Sequence, residues 1–315
     1  MGLRETYLEN LTKRKGQQYD QENGAIYSEA EYEVGLDESG KPVSSHALHQ
    51  VILMIIDEFK RVCDKHNIPF ALGFGSALGM YNYKGFIPWD DDADLVVSVD
   101  DLPRLAKALE EDLSDDFTFE SYESDKRYLV LNPSMKIRYK HSYIKEANSF
   151  FLPNRCKNGS GIFIDICAFS NVPGDLKTHT RLRRNALWTM PYYCFLDGVL
   201  RIHPYLTKKR LKKFEKKVND KYRGSGYVSQ SIIIAWQAFN KDKTKILYPY
   251  DMIYPFVERE FEGRMYPFFH DVEGFLRRNY GDIGLRRFEY GEWRETYPEE
   301  KRKIRHIKKI SIYEK

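Results

Sequence analysis

Asp90, Asp91, Asp92 and Asp94 crowd into five positions directly before the apolar run Leu95 to Val99. Alternate residues of a strand point to one face, so the Asp92 and Asp94 carboxylates share a side. Carboxylates gathered at one point repel unless a cation lies between them, and hard oxygen donors suit Mg²⁺ or Mn²⁺. Asp90 is placed to join that ligand set. About fifteen residues upstream, another apolar run ends in Gly73-Phe74-Gly75-Ser76, with a helix predicted from near Ala77. Glycines let a phosphate approach backbone N–H groups, and a helix N-terminus favours an anion, so Gly75 and Ser76 are expected to cradle phosphate oxygens. A divalent cation beside such a turn is equipment for phosphoryl or nucleotidyl transfer. Asp165 sits inside Ile162-Phe163-Ile164-Asp165-Ile166, where a charge is expensive without a partner. That partner is either the same metal or an arginine.

Elements must hold these groups in place. Leu48, Val51, Ile52, Ile55, Phe59 and Val62 recur at helical spacing and predict an amphipathic helix over 46–66, with Ser44 or Ser45 as N-cap. Strands are predicted at 70–74, 95–99, 117–122, 128–131, 135–139 and 162–168, with a helix at 101–113. Residues 46–170 therefore read as a compact α/β (α+β) catalytic core, a mixed sheet flanked by helices. Residues 1–45 read as an arm or hairpin, with a turn at Asp37 to Lys41. Residues 171–315 read as a mainly helical, basic region packed on the core. Its clearest features are helices at 207–223, with Thr207 as N-cap, and at 271–280, closed by Gly281. The tail 301–315 is basic and weakly patterned.

Charge is distributed unevenly. Residues 1–125 hold 11 Lys/Arg and 26 Asp/Glu, while the remaining residues hold 39 and 20. The basic part invites phosphate or an anionic surface. The face of helix 207–223 is open to two readings, peripheral membrane contact or plain solvation. Lys136 and Arg138 share one face of an alternating strand and could neutralise diphosphate oxygens there. Trp89, Trp188, Tyr192 and Tyr193 offer aromatic faces for a quaternary ammonium group, although core packing is the commoner use. Cys63, Cys156, Cys167 and Cys194 form no CxxC pair, so a reducing compartment is expected. The polar N-terminus carries no secretory pattern. No apolar run reaches the ~18 residues of a membrane span. A cytoplasmic protein, peripheral at the inner face of a membrane if at any, is the expectation.

The order strand, Gly-Ser, helix, DxD-strand resembles the nucleotidyltransferase superfamily related to DNA polymerase β. Within it, Gly75-Ser76-Ala77-Leu78-Gly79 followed by Gly85-Phe86-Ile87-Pro88-Trp89-Asp90-Asp91-Asp92-Ala93-Asp94 resembles the LicD/fukutin family. Phe163-Ile164-Asp165-Ile166, Phe261-Glu262-Gly263 with Tyr280-Gly281-Asp282, and Tyr297-Pro298-Glu299-Glu300-Lys301-Arg302 with His306 resemble its later motifs. Tyr297-Pro298 replaces the family's double Pro, and residues 283–296 exceed its usual short link.

The resemblance implies a nucleotidyltransferase-like fold. It makes Asp165 the third carboxylate, completing the metal site or acting as general base. It also implies transfer of phosphocholine from CDP-choline to a hydroxyl of a cell-surface glycan, of teichoic acid or lipopolysaccharide type, with release of CMP. Glycerol phosphate or ribitol phosphate from the corresponding CDP-alcohol is the alternative cargo. The acceptor could be lipid-linked. An RNA-binding nucleotidyltransferase is the competing reading, which the I-P-W-D-D-D block disfavours, so nucleic acid is not expected as a partner.

Overall fold

The computed structural model describes residues 33–37, 39–121, 124–125, 128, 134–146, 160–188, 192, 205–231, 243–296 and 307–313. Strands β1 (Glu33–Leu36) and β2 (Pro42–Ser44) pair antiparallel as a hairpin that feeds helix α1 (Ser45–Lys65). The Ser44 hydroxyl caps α1 by accepting from the Ala47 N–H at 3.3 Å. Leu48, Ile52, Ile55, Ile56, Phe59 and Val62 form its fully buried stripe. The helix ends where Asn67 takes a left-handed φ of 51°. Strand β3 (Phe70–Leu72), helix α2 (Phe74–Tyr83), strand β4 (Asp94–Ser98), helix α3 (Leu102–Asp112) and strand β5 (Phe117–Ser121) follow. Next come β6 (Met135–Tyr139), β7 (Ser142–Glu146) and the long β8 (Phe163–Asn171). The sequence places α1, α3, β5, β6 and β8 within a few residues of their observed bounds. Of the expected strand 128–131, Tyr128 lies outside any strand, and the rest falls outside the described residues.

Helices α4 (Leu176–Leu187) and α5 (Tyr205–Lys221) come next. Helix α5 starts two residues before Thr207, so Thr207 lies within it rather than at its cap. The C-terminal region also supplies β9 (Tyr227–Gln230), β10 (Tyr248–Pro249), β11 (Val257–Phe261) and β12 (Arg264–Phe268). All four join β3, β4, β8, β5 and β6 in a nine-stranded mixed sheet, with the order β10-β9-β8-β4-β3-β12-β11 and β6 attached to β8. Strand β10 has two residues, and β9, β11 and β12 mix apolar with polar or charged residues, so no apolar run declares them. Helix α6 (Tyr250–Ile253), helix α7 (Val272–Tyr280) and helix α8 (Tyr290–Thr296) also lie in this region. Gly281 follows α7 at φ 76°, as the sequence leads one to expect.

A second sheet of four strands has the order β2-β1-β13-β7, where β13 spans Ile307–Ile312. The register of β13 shifts between Ile307 and Lys309 against β7, so its apolar residues lose a clean period of two. That bulge is why the tail reads as unpatterned although it forms the middle of a sheet. The fold is thus the mixed α/β arrangement that the sequence predicts, with β4 and β8 at its centre. Among the described residues, no helix is long and apolar enough to cross a membrane.

Candidate active site

Strands β4 and β8 run parallel, with Asp94 directly opposite Asp165. The Asp165 N–H donates to the Ala93 carbonyl at 2.9 Å, which fixes that register at the strand entrance. Asp92 lies two residues before Asp94. One carboxylate oxygen from each of Asp92, Asp94 and Asp165 falls within 4.8 Å of the others, and all three residues are half-buried. Oxygens from Asp90, Asp91 and Asp92 form a second group within the same limit. Asp91 has a structural task within that group. It is buried, and its Oδ2 accepts the Ile307 N–H at 3.1 Å, anchoring β13. Asp90 hangs over the start of α2, where a Cβ added at Gly75 would come 3.2 Å from its Oδ2. Three hard, anionic oxygens converging from two strands and a loop fit Mg²⁺ or Mn²⁺ by donor chemistry.

Helix α2 begins at Phe74, three residues earlier than its apolar pattern suggests, with Gly73 as an N-cap that offers no side chain. Gly75 and Ser76 therefore stand in the first helical turn, where backbone N–H groups have no intrahelical acceptor. The buried Ser76 hydroxyl accepts the Asp94 N–H at 3.1 Å, and the Gly73 N–H donates to the Asp94 carbonyl at 3.0 Å. The first turn of α2 and the carboxylate-bearing strand β4 are thus tied together at Asp94.

The acidic loop is clamped from two further directions. His49 on α1 is buried, stacks on Phe86 at 4.3 Å and donates from Nε2 to the Asp90 carbonyl at 2.8 Å. Burial pushes its imidazole down to about 3, so it holds the loop as a neutral ring. From the other side comes the β11–β12 hairpin, whose two-residue turn, Glu262-Gly263, has φ values of 52° and 71°. Glu262 Oε1 accepts the Phe86 N–H at 3.0 Å, and its own N–H donates to the Lys84 carbonyl at 2.9 Å. A Cβ at Gly85 would lie 2.1 Å from that carboxylate oxygen, so a side chain there would have to displace the Glu262 carboxylate. Phe261 packs edge-on against Phe86 at 4.9 Å. Sequence reasoning finds the F-E-G motif but not this task. The alternation of Val257-Glu258-Arg259-Glu260-Phe261 before a two-residue turn is the signal that could have placed it.

Lys136 and Arg138 part company. Lys136 pairs in register with Asp165, its Nζ standing 2.8 Å from Asp165 Oδ1 and 3.3 Å from the Phe163 ring centroid. Arg138 is fully buried and bound to Glu120 at 3.1 Å and to the Gly161 carbonyl at 3.0 Å. Asp165 thus has a lysine partner rather than the arginine considered from sequence. Trp89 packs edge-on against Tyr83 at 5.9 Å, while Trp188 and Tyr192 are exposed. The structure gathers these three into no common cage, and Tyr193 and His306 lie outside the described residues. Asp282 is exposed and paired with Arg277. The neighbouring Tyr280 phenol is pushed up, by burial first and then by Asp94, Tyr248, Asp90 and Asp92. Cys63 and Cys167 are free and buried, and burial pushes both thiols up.

Residues 67–196 match the family model described as LicD/FKTN/FKRP, nucleotidyltransferase domain. This segment carries α2, the acidic loop, β4 and β8. Over these residues the chain is similar to the LicD family. The chain is also 24% identical over 279 residues to a protein of Haemophilus influenzae named lipopolysaccharide cholinephosphotransferase LicD. That alignment covers 83% of this chain and 96% of the relative, so the likeness reaches well beyond the matched domain.

Proposed function

We propose that this chain transfers phosphocholine from CDP-choline to a hydroxyl of a cell-surface glycan of the lipopolysaccharide or teichoic acid type. The observation that carries this reading is the matched register of Asp94 and Asp165, with Asp92 beside them, at the N-terminus of α2. The named activity of the Haemophilus relative supports the cargo and the acceptor class. Asp92, Asp94 and Asp165 would hold Mg²⁺ or Mn²⁺, with Asp90 at the rim. A bound ion would neutralise diphosphate charge and polarise the phosphoryl oxygens. Gly75 and Ser76 offer first-turn N–H groups to the diphosphate. Lys136 keeps a positive charge at Asp165 from the sheet side. The acceptor oxygen attacks the phosphorus bearing choline, the bond from that phosphorus to the bridging oxygen breaks, and CMP leaves with the electron pair. Asp165 has two alternative roles, third ligand of the ion or general base, and in the second it takes the hydroxyl proton.

The test incubates the full chain with acceptor glycan and CDP-choline, CDP-glycerol or CDP-ribitol in turn, and measures CMP. CMP should form fastest with CDP-choline and should require a divalent ion. Asp92→Asn and Asp94→Asn should each cut the rate by roughly a thousandfold, the scale of losing several kcal/mol of charge stabilisation, with an unchanged fold. Full activity in both variants sinks the assignment. Faster release from CDP-glycerol or CDP-ribitol would change the cargo and leave the site standing.

A further inference from the structure

Helices α4 and α5 touch each other, and each turns a basic ridge to solvent. On α4, Lys177, Arg181 and Arg184 are exposed at spacings of four and three. Trp188 follows four residues later, still in helical geometry at φ −53° and ψ −31°. These intervals put all four residues on one face. Trp188 is 79% exposed, an extreme value for a tryptophan, and Tyr192 beyond it is 57% exposed.

The opposite face of α4 is buried through His179, Arg183 and Ala186. Helix α5 repeats the pattern. Leu211, Glu215, Val218 and Asn219 are buried, while Lys209, Lys213 and Lys217 line up at intervals of four on the exposed side. Among the described residues, Lys177, Arg181, Arg184, Lys209, Lys213 and Lys217 join no ion pair, whereas Lys216 beside them is paired with Asp220. Glu215, one of the two acids in α5, is spent inward on the hydroxyls of Ser170 and Ser231.

A basic ridge alone suits any polyanion. The aromatic residues narrow the choice. They stand at the end of the ridge rather than between the cations, where stacked bases would need them. An indole at the rim of a cationic face fits the interface between lipid headgroups and acyl chains. Helix α4 is too short and too charged to span a bilayer, so it would lie on one.

We propose that α4 and α5 form a docking surface for an anionic phospholipid bilayer, with Trp188 seated at the headgroup boundary. The surface would hold the protein beside a membrane-borne acceptor. It stands on its own residues, and its test reads no transferase activity.

The full chain is sedimented with vesicles of phosphatidylcholine alone, or of an equal mixture with phosphatidylglycerol. Wild type should pellet with the mixed vesicles only, and less so as salt rises. Each cation reversed among Lys177→Glu, Arg181→Glu and Arg184→Glu should weaken partitioning by about fivefold or more. Brominated acyl chains should quench the tryptophan emission of wild type and do so less in Trp188→Ala. Far-UV circular dichroism checks that these surface variants stay folded. Equal binding to both vesicle types overturns the proposal, as does mixed-vesicle binding that survives the triple reversal. Displacement from the vesicles by stoichiometric single-stranded RNA would also overturn it and make nucleic acid the partner.

Discussion

Glu262 lies 97 residues beyond Asp165, yet it helps decide where the acidic loop runs. Its Oε1 takes the Phe86 N–H at 3.0 Å, and the absent side chain of Gly85 leaves room for that contact. Truncation to alanine would leave a partly buried N–H without its acceptor, at a cost of about 1–3 kcal/mol. Glu262→Ala should therefore melt at lower temperature and lose metal-dependent CMP release, because the loop that carries Asp90 to Asp94 drifts. Glu262→Gln keeps an acceptor oxygen and should recover most of both properties. A paired set of thermal melts and CMP assays distinguishes them. If alanine and glutamine behave alike, the hydrogen bond is not what holds the loop. At this scale the sequence is most legible where chemistry concentrates charge. Asp92, Asp94 and Asp165 stand out because acids beside apolar runs are costly. His49 does not, because a histidine on an amphipathic helix looks the same whether it pins a carbonyl or fills a core.

Helix α1 links the loop clamp to the rest of the core, and its far end has its own lock. Glu58 is fully buried and takes two bonds from Arg61, at 2.9 and 2.7 Å, plus the Ser114 N–H at 2.8 Å. Burial by itself would raise the Glu58 carboxyl, but the Arg61 and Ser114 bonds outweigh it and hold the group below the usual glutamate range. A depressed carboxylate contributes stability that is present above the unfolded-state pKa and is lost as pH falls through the folded one. Glu58→Gln should thus cost about 1–3 kcal/mol at neutral pH, with the gap to wild type narrowing below about pH 4. Urea titrations of both proteins across that range test it, and a gap independent of pH would show that packing dominates. Elements of this kind were legible in proportion to their length. The 21 residues of α1 repeat their apolar stripe often enough to be read, whereas α2 announces itself late because its first turn is Gly-Ser rather than apolar. The hairpin β11–β12 carries no apolar run, because three charged residues separate Val257 from Phe261 in β11 and β12 opens on Arg264 and contains Pro267.

The molecule as a whole closes on its own beginning. Strand β13 sits between β1 and β7, and the N–H of its first residue, Ile307, is held by Asp91, 216 residues earlier in the chain. No local pattern could disclose a contact of that sequence separation, and the register shift in β13 hides the strand itself. The docked C-terminal segment thus supplies one anchor of the acidic loop. Deletion from residue 307 onward would strip the middle strand from one sheet and leave the buried Asp91 carboxylate without that backbone donor. A buried carboxylate that loses a hydrogen bond is costly, so the loop should loosen while the nine-stranded sheet, to which β13 does not belong, persists. The expected result is a shortened protein with near-native far-UV circular dichroism that has lost its response to Mn²⁺. In the intact chain, ion at a hundred times its dissociation constant should add about 2.7 kcal/mol to unfolding, by mass action. Melting curves with and without Mn²⁺ on the intact chain, the shortened chain and Asp91→Asn measure this directly. Asp91→Asn keeps an oxygen for Ile307 and should retain most of the Mn²⁺ shift. If the shortened chain keeps the full shift, the carboxylate cluster is assembled by the nine-stranded sheet alone, and β13 serves only the smaller one.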